Sequence, residues 1–221
     1  MISSIPNIVV LISGRGSNLG QLIIAAVDYK IAAVISDRTD APGLEFARRN
    51  QIPYQSFNRE DFATRGAQKA AILEAVQGYS PEFVALAGFM LIIQPEFIAA
   101  YPNRIINIHP SLLPKFPGLD THNRALTAKE TQHGCTVHVV DSGVDTGEII
   151  AQAQCPIQGN DTEGSLAARV LKLEHQLYPW VMNGLAREEI SINAGQISYS
   201  DKMRNAATEF RFQLNSGTVV H

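Results

Sequence analysis

A chain of 221 residues with 45% hydrophobic and 18% charged side chains has the composition of a folded domain with a sizeable core, which excludes a disordered segment. Its formal charge of −3 gives no global field that would draw it to nucleic acid or an anionic membrane, so any phosphate must be held by local geometry. The first apolar run, Ile8 to Ile12, is too short for a signal-peptide core or a membrane span, and a cytoplasmic protein is expected.

Asn7 to Ile12 is β-branched and continuously apolar, the pattern of a strand buried on both faces, and it runs into the glycine-bearing turn Ser13 to Asn18. Leu19, Leu22, Ile23 and Ala26 recur at helical spacing, and Ile31 to Ile35 reads as a second strand. A short helix over Leu44 to Asn50, an extended stretch near Tyr54 to Phe57 and a longer helix over Glu60 to Gly78 continue the alternation. Phe83 to Ala87 is the next strand, Pro95 suits the first turn of a helix, and Ile105 to His109 returns as a strand. Strands alternating with helices predict an α/β fold, an open, mostly parallel twisted sheet with helices on both faces. Ligands of such sheets bind beyond the carboxyl ends of the strands, where Gly14 to Asn18, Gly88 to Met90 and Asn107 to Pro110 collect.

After Pro110 the pattern changes. A short helix near Arg124 to Lys129 and strands around Thr136 to Val140 and Ile149 to Cys155 are expected, the later strands antiparallel. Asp161 or Thr162 can cap a long helix whose apolar stripe is Leu166, Val170, Leu173 and Leu177. Residues 1–189 form the expected catalytic domain. The aperiodic stretch 190–221 is expected to join that domain or to be partly disordered. Cys135 and Cys155 sit among strand-like neighbours without metal-ligand spacing and read as buried free thiols.

Glycine leaves the backbone N–H groups of Gly14 to Asn18 open beside the positive end of a helix, which suits an anion; the alternative is a tight turn capped by Ser17 or Asn18. The spacing is neither that of a dinucleotide fingerprint nor that of a P-loop. Strand periodicity puts Asn107 and His109 on one side, and an amide with an imidazolium can donate to an oxygen that gains charge as a carbonyl is attacked. Asp145 is the candidate carboxylate to orient and charge the histidine; the alternative is a turn aspartate bonded to its own loop. His122, His133, His138 and His175 show no tight metal-ligand spacing, and no metal is expected.

These segments resemble the phosphoribosylglycinamide formyltransferases, over roughly Asn7 to Pro179. The residues that carry the resemblance are Ile12 to Leu19, Leu86 to Met90, Asn107-Ile-His-Pro-Ser-Leu-Leu-Pro-Lys115, Phe116 to Leu119 with Thr121 and His122, Gly134 to His138, and Asp145 to Gly147. The resemblance implies a Rossmann-like formyltransferase fold and transfer of a formyl group from 10-formyltetrahydrofolate to the amine of glycinamide ribonucleotide, the third step of purine synthesis. It implies that Gly16, Ser17 and Asn18 hold the phosphate and that Glu174 holds the ribose or glycinamide part. Arg65 would meet the folate, Met90, Leu91, Ile92 and Ile93 would line the pterin pocket, and Asn107 with Asp141, Ser142, Gly143, Val144 and Asp145 would complete the folate contacts. Asn107, His109 and Asp145 would be catalytic, Asp145 raising the histidine pKa.

Small-molecule substrates are the implied partners, with no nucleic acid and no membrane, in a monomer or homodimer. The chain departs from the pattern at Leu91, where relatives often carry arginine, at Asp120, where many carry histidine, and at Leu171, which lacks a polar group. The alternatives are another 10-formyltetrahydrofolate enzyme, acting on water or a different amine, and a non-catalytic folate- or nucleotide-binding relative.

Overall fold

The computed structural model describes residues 5–193 and 195–215, in two compact units that meet along the chain between Asn107 and Ile108. In the first unit β1 (Asn7–Ile12), β2 (Lys30–Ser36), β3 (Tyr54–Ser56), β4 (Phe83–Leu86) and β5 (Ile105–His109, which runs on into the second unit) pair in the order β3-β2-β1-β4-β5, every pair parallel. Val9, Val10, Leu11 and Ile12 have no exposed surface, which is why this strand reads as an unbroken apolar run. Helices α1 (Ser17–Ile24), α2 (Leu44–Arg49), α3 (Arg65–Gly78) and α4 (Pro95–Ala100) alternate with the strands.

The chain lays down β1, β2 and β3 outward, then returns to place β4 on the other side of β1. The loops after β1 and β4 therefore diverge at a topological switch point, the place where such sheets take their ligands. Here the two loops are stitched together: Ser13 N–H donates to Gly88 O at 3.0 Å, and Met90 N–H donates to Ser13 Oγ at 2.8 Å.

The expected long helix over Glu60 to Gly78 is in fact two pieces. A 3₁₀ turn at Arg59–Asp61 ends in extended backbone at Phe62, and α3 starts afresh behind Thr64, whose side chain accepts from Ala67 N–H. A serine or threonine cap inside an otherwise periodic stretch gives the backbone a reason to break there.

In the second unit β6 (Gln132–Val139), β7 (Ile149–Pro156) and β10 (Gln213–Leu214) pair antiparallel in that order, as expected for the later strands. Helix α5 (Thr121–Thr127) begins three residues earlier than the sequence suggests, behind Asp120 in the left-handed conformation. Helix α6 (Glu163–Ala186) is capped by Thr162, which exchanges hydrogen bonds with Ser165, and it packs on β6 and β7. Residues 190–215 carry a hairpin, β8 (Ile190–Asn193) with β9 (Gln196–Tyr199), followed by α7 (Asp201–Phe210) and β10; residues 216–221 of the expected extension lie outside the described residues. Tyr199 Oη donates to Ile150 O at 2.5 Å, which ties the hairpin to β7. Both cysteines are buried and free.

Candidate active site

In the first unit the turn after β1 is shaped by close backbone approach. Gly16 caps α1 at φ 72°, and a Cβ there would lie 2.6 Å from Gly43 Cα, so only glycine fits on both counts. Gly43 N–H in turn donates to Gly14 O at 3.0 Å. The alternative reading, a cap by Ser17 or Asn18, is not what forms: Gly16 holds the cap position and α1 has no side-chain cap hydrogen bond. Asn18 is buried and Ser17 half-buried in its first turn.

Of the four apolar residues expected around a pterin, Leu91, Ile92 and Ile93 line one small concavity with Phe89, Gln94, Phe97, Lys69 and Ile72; Met90 does not. Met90 and Ile92 are largely exposed. Arg65 is the first residue of α3 and exposed. Asn107, half-buried, closes the first unit on β5.

In the second unit His109 ends β5 with only 5% of its surface exposed. Both ring nitrogens face acceptors. Nε2–H donates to Phe116 O at 3.0 Å, and Nδ1 lies 3.3 Å from Asp145 Oδ2. The same Oδ2 accepts from Gly118 N–H at 2.8 Å, while Oδ1 lies 3.5 Å from His138 Nε2. The far side of His138 is fixed by Val139 O, 2.8 Å from Nδ1; a carbonyl only accepts, so Nδ1 carries a hydrogen. Two imidazoles thus share one carboxylate. The turn aspartate that bonds to its own loop is Asp141, whose Oδ1 accepts from Gly143 N–H and Thr146 Oγ1–H, whereas Asp145 reaches away from that loop.

The electrostatics follow from burial and these contacts. Burial pushes the Asp145 carboxyl up, but the hydrogen bonds from His138 and Gly118 and the charges of His109 and His138 bring it below the usual carboxylate range. For His109 the balance runs the other way from the sequence expectation. Burial lowers its pKa, and although Phe116 O and Asp145 favour the charged ring, with His138 and Arg124 opposing, the net shift is downward. Asp145 offsets part of a desolvation penalty; it does not lift the ring above its ordinary value.

The loop after β5 is held rigidly. Thr136 Oγ1–H donates to Ser111 O at 2.6 Å, and the same oxygen accepts from Leu113 N–H and from Gln152 Nε2–H. Ser111 Oγ–H donates to Lys115 O at 2.7 Å. Gly147 lets the Asp145 loop return against β6, since a Cβ there would lie 1.8 Å from Val139 O. Asp141, Ser142, Gly143 and Val144 are exposed. On α6, Glu174 is buried to 8% exposure and takes the line of Leu166, Val170 and Leu177 in the buried stripe, where Leu173 was expected and is only half-buried. Its charge also raises the pKa of the buried Cys135 thiol, second to burial. Among the described residues no group of three or more His, Cys, Asp or Glu side chains is placed to hold a metal ion, and no helix is long and apolar enough to cross a membrane.

The sequence profile of the formyl transferase family matches residues 6–182. The chain belongs to the formyl transferase family. It is 44% identical over 184 residues to phosphoribosylglycinamide formyltransferase of Escherichia coli strain K12, which covers 81% of this chain and 87% of that protein. It is also 44% identical over 185 residues to the trifunctional purine biosynthetic protein adenosine-3 of Drosophila pseudoobscura pseudoobscura, covering 81% of this chain but only 14% of that much longer protein. The crystal structure of glycinamide ribonucleotide transformylase 1 from Symbiobacterium toebii superposes with a TM-score of 0.86 at 40% identity, covering 90% of this chain and 96% of the other.

Within this formyl transferase, the sequence reading missed the part played by His138, Phe116 and Gly118 around the buried pair. Alternation along β6 was the available signal for His138, since Thr136 and His138 share a side of the strand. No sequence pattern marks Phe116 O or Gly118 N–H, because backbone groups carry no residue signature. At the points of departure, Leu91 is half-buried beside the concavity, Leu171 is half-buried on α6, and exposed Asp120 accepts from Asn123 Nδ2 at 3.0 Å across the start of α5.

Proposed function

We propose that this chain transfers a formyl group from 10-formyltetrahydrofolate to the amine of glycinamide ribonucleotide, by direct acyl transfer, in the cytoplasm and without a metal. The observation that carries the reading is the buried His109–Asp145 contact, placed in a family whose relatives are named for this activity. The folate supplies an activated formyl carbon; the chain supplies binding, orientation and proton management.

Gly16, Ser17 and Asn18 receive the ribonucleotide phosphate. The first N–H groups of any α-helix have no intrahelical acceptor, and α1 begins without a side-chain cap, which leaves its positive end for an anion. Glu174 binds the ribose hydroxyls or the glycinamide end; a charged side chain buried in the stripe of Leu166, Val170 and Leu177 fits a binding role better than a packing role. Arg65, exposed at the start of α3, suits the carboxylates of the folate tail. Met90, Leu91, Ile92 and Ile93 offer apolar surface to the pterin ring, and Asn107 with the backbone of Asp141, Ser142, Gly143, Val144 and Asp145 supplies hydrogen bonds.

Asn107 and protonated His109, whose Nδ1–H stays on Asp145 and whose Nε2–H is shared between Phe116 O and the formyl oxygen, donate to that oxygen as the amine attacks. The new carbon–nitrogen bond forms to the glycinamide amine, the bond to folate N10 breaks, and the amine proton reaches N10 through His109 or a water. The lowered pKa of His109 suits this step. Its proton is held loosely by a buried ring, and the charged form is favoured once an oxyanion grows beside a ring already paired with Asp145.

The test compares acceptors. Purified protein with 10-formyltetrahydrofolate is expected to release the deformylated folate only when glycinamide ribonucleotide is present. Release into water alone would identify a deformylase, and no turnover with either acceptor would identify a non-catalytic relative.

A further inference from the structure

Arg124 lies outside every motif that carries the resemblance, yet it holds the segment that grips both halves of the buried pair. Residues Phe116 to Leu119 form a short strap. From it Phe116 O takes the hydrogen of His109 Nε2 at 3.0 Å, and Gly118 N–H donates to Asp145 Oδ2 at 2.8 Å, the oxygen that faces His109 Nδ1. The strap has weak reasons of its own to stay in place. Phe116 and Gly118 both take positive φ, at 55° and 76°, a conformation that costs energy at phenylalanine, and Leu119 at its end is 78% exposed. Ser111 Oγ–H reaches Phe116 O at 3.2 Å and the Phe116 ring meets His133 edge-on, while the hydrogen bonds on Pro117 O and Leu119 O come from α5. Arg124 Nη1 donates to Pro117 O at 2.6 Å and to Leu119 O at 3.1 Å, and its guanidinium lies 5.4 Å from the centre of the Phe116 ring. Charge-assisted bonds from one nitrogen to two carbonyls of the turn, together with a planar cation over the adjoining ring, tie the strap to α5.

We infer that Arg124 is a positioning residue for the proposed formyl transfer: by clamping the Phe116–Leu119 strap it fixes the orientation of the His109 ring and of the Asp145 carboxylate. It does not touch the reacting atoms itself. The inference rests on the proposed function for its catalytic consequence, but its structural half stands apart from any activity.

Two variants and two readouts test it. Arg124→Met keeps an unbranched apolar stem and removes the donors and the charge. Arg124→Lys keeps the charge and the donors of a single nitrogen but shortens the side chain and loses the planar group that lies over the Phe116 ring. In Arg124→Met the Gly118 amide is expected to exchange its hydrogen at least about tenfold faster, with the amides of β6 and β7 unchanged. The kcat for formyl transfer is expected to fall about ten- to a hundredfold, the loss typical of a misplaced catalytic group, with KM for both substrates held within about twofold. Arg124→Lys should fall between wild type and Arg124→Met in both readouts. Unchanged Gly118 exchange overturns the inference, as does loosened exchange with unchanged kcat. General loosening of β6 and β7 in both variants would assign Arg124 to fold stability and overturn it as well. Absence of formyl transfer in the wild-type protein would defeat the proposed function while leaving the exchange measurement to decide the clamp.

Discussion

At the scale of single residues, the site is built from groups whose charge states depend on one another. Asp145 stays ionised because it gathers the hydrogen bonds of Gly118 N–H and His138 beside the charge of His109, and His109 is kept short of full protonation because burial outweighs the pull of Phe116 O and Asp145. Glu174 poses a different problem, a carboxylate in an apolar helix stripe. If it binds the ribonucleotide, Glu174→Gln should raise KM for glycinamide ribonucleotide about ten- to a hundredfold, the range of one charge-assisted hydrogen bond of about 1.5–3 kcal/mol, with KM for the folate unchanged. Steady-state kinetics with each substrate varied in turn check this. Asn107, His109 and Asp145 were legible because side-chain chemistry marks them, and the structure supplies the contact between the last two. The direction of the His109 shift was not legible, since it depends on how deeply the ring is buried, a property of the packed molecule.

At the scale of elements, the buried strands of the first unit were read closely because continuous β-branched runs leave few other structures open. Boundaries set by caps were read less well. The helix expected to run from Glu60 breaks at Thr64, and α5 starts at Thr121 behind a left-handed Asp120, because one side-chain or backbone conformation decides each boundary while periodicity averages over many residues. Residues 190–215 have no clear period since their elements are short: two four-residue strands, a ten-residue helix and a two-residue strand. Their anchoring also comes from elsewhere in the unit, as in the Tyr199 bond to Ile150 O and the edge-on contact of Trp180 with Phe212 at 5.2 Å.

At the scale of the whole molecule, folding keeps histidines neutral that the unfolded chain would charge. Burial, then the neighbouring His122, pushes His133 down to about 4, and burial also lowers His122, whose Nδ1 lies 3.0 Å from His133 Nε2. The unfolded chain therefore binds more protons than the folded one as pH falls below about 6.5. The stabilisation is fully present above that value and is lost progressively as pH falls towards 4. Chemical denaturation between pH 7 and pH 4 should show a loss on the order of 2–3 kcal/mol from this pair, and His133→Phe should flatten that slope.

The central claim is that the buried imidazole and the carboxylate beside it act together to move a formyl group onto an amine, and the most direct test is the initial rate of formyl transfer from 10-formyltetrahydrofolate to glycinamide ribonucleotide in wild type and in Asp145→Asn. The asparagine keeps the size of the side chain and an oxygen for Gly118 N–H but removes the charge that stabilises protonated His109. The account predicts ribonucleotide-dependent transfer in the wild type and a kcat lower by about a hundredfold or more in the variant, in the range expected for general acid–base catalysis. A variant that transfers formyl at the wild-type rate would contradict it.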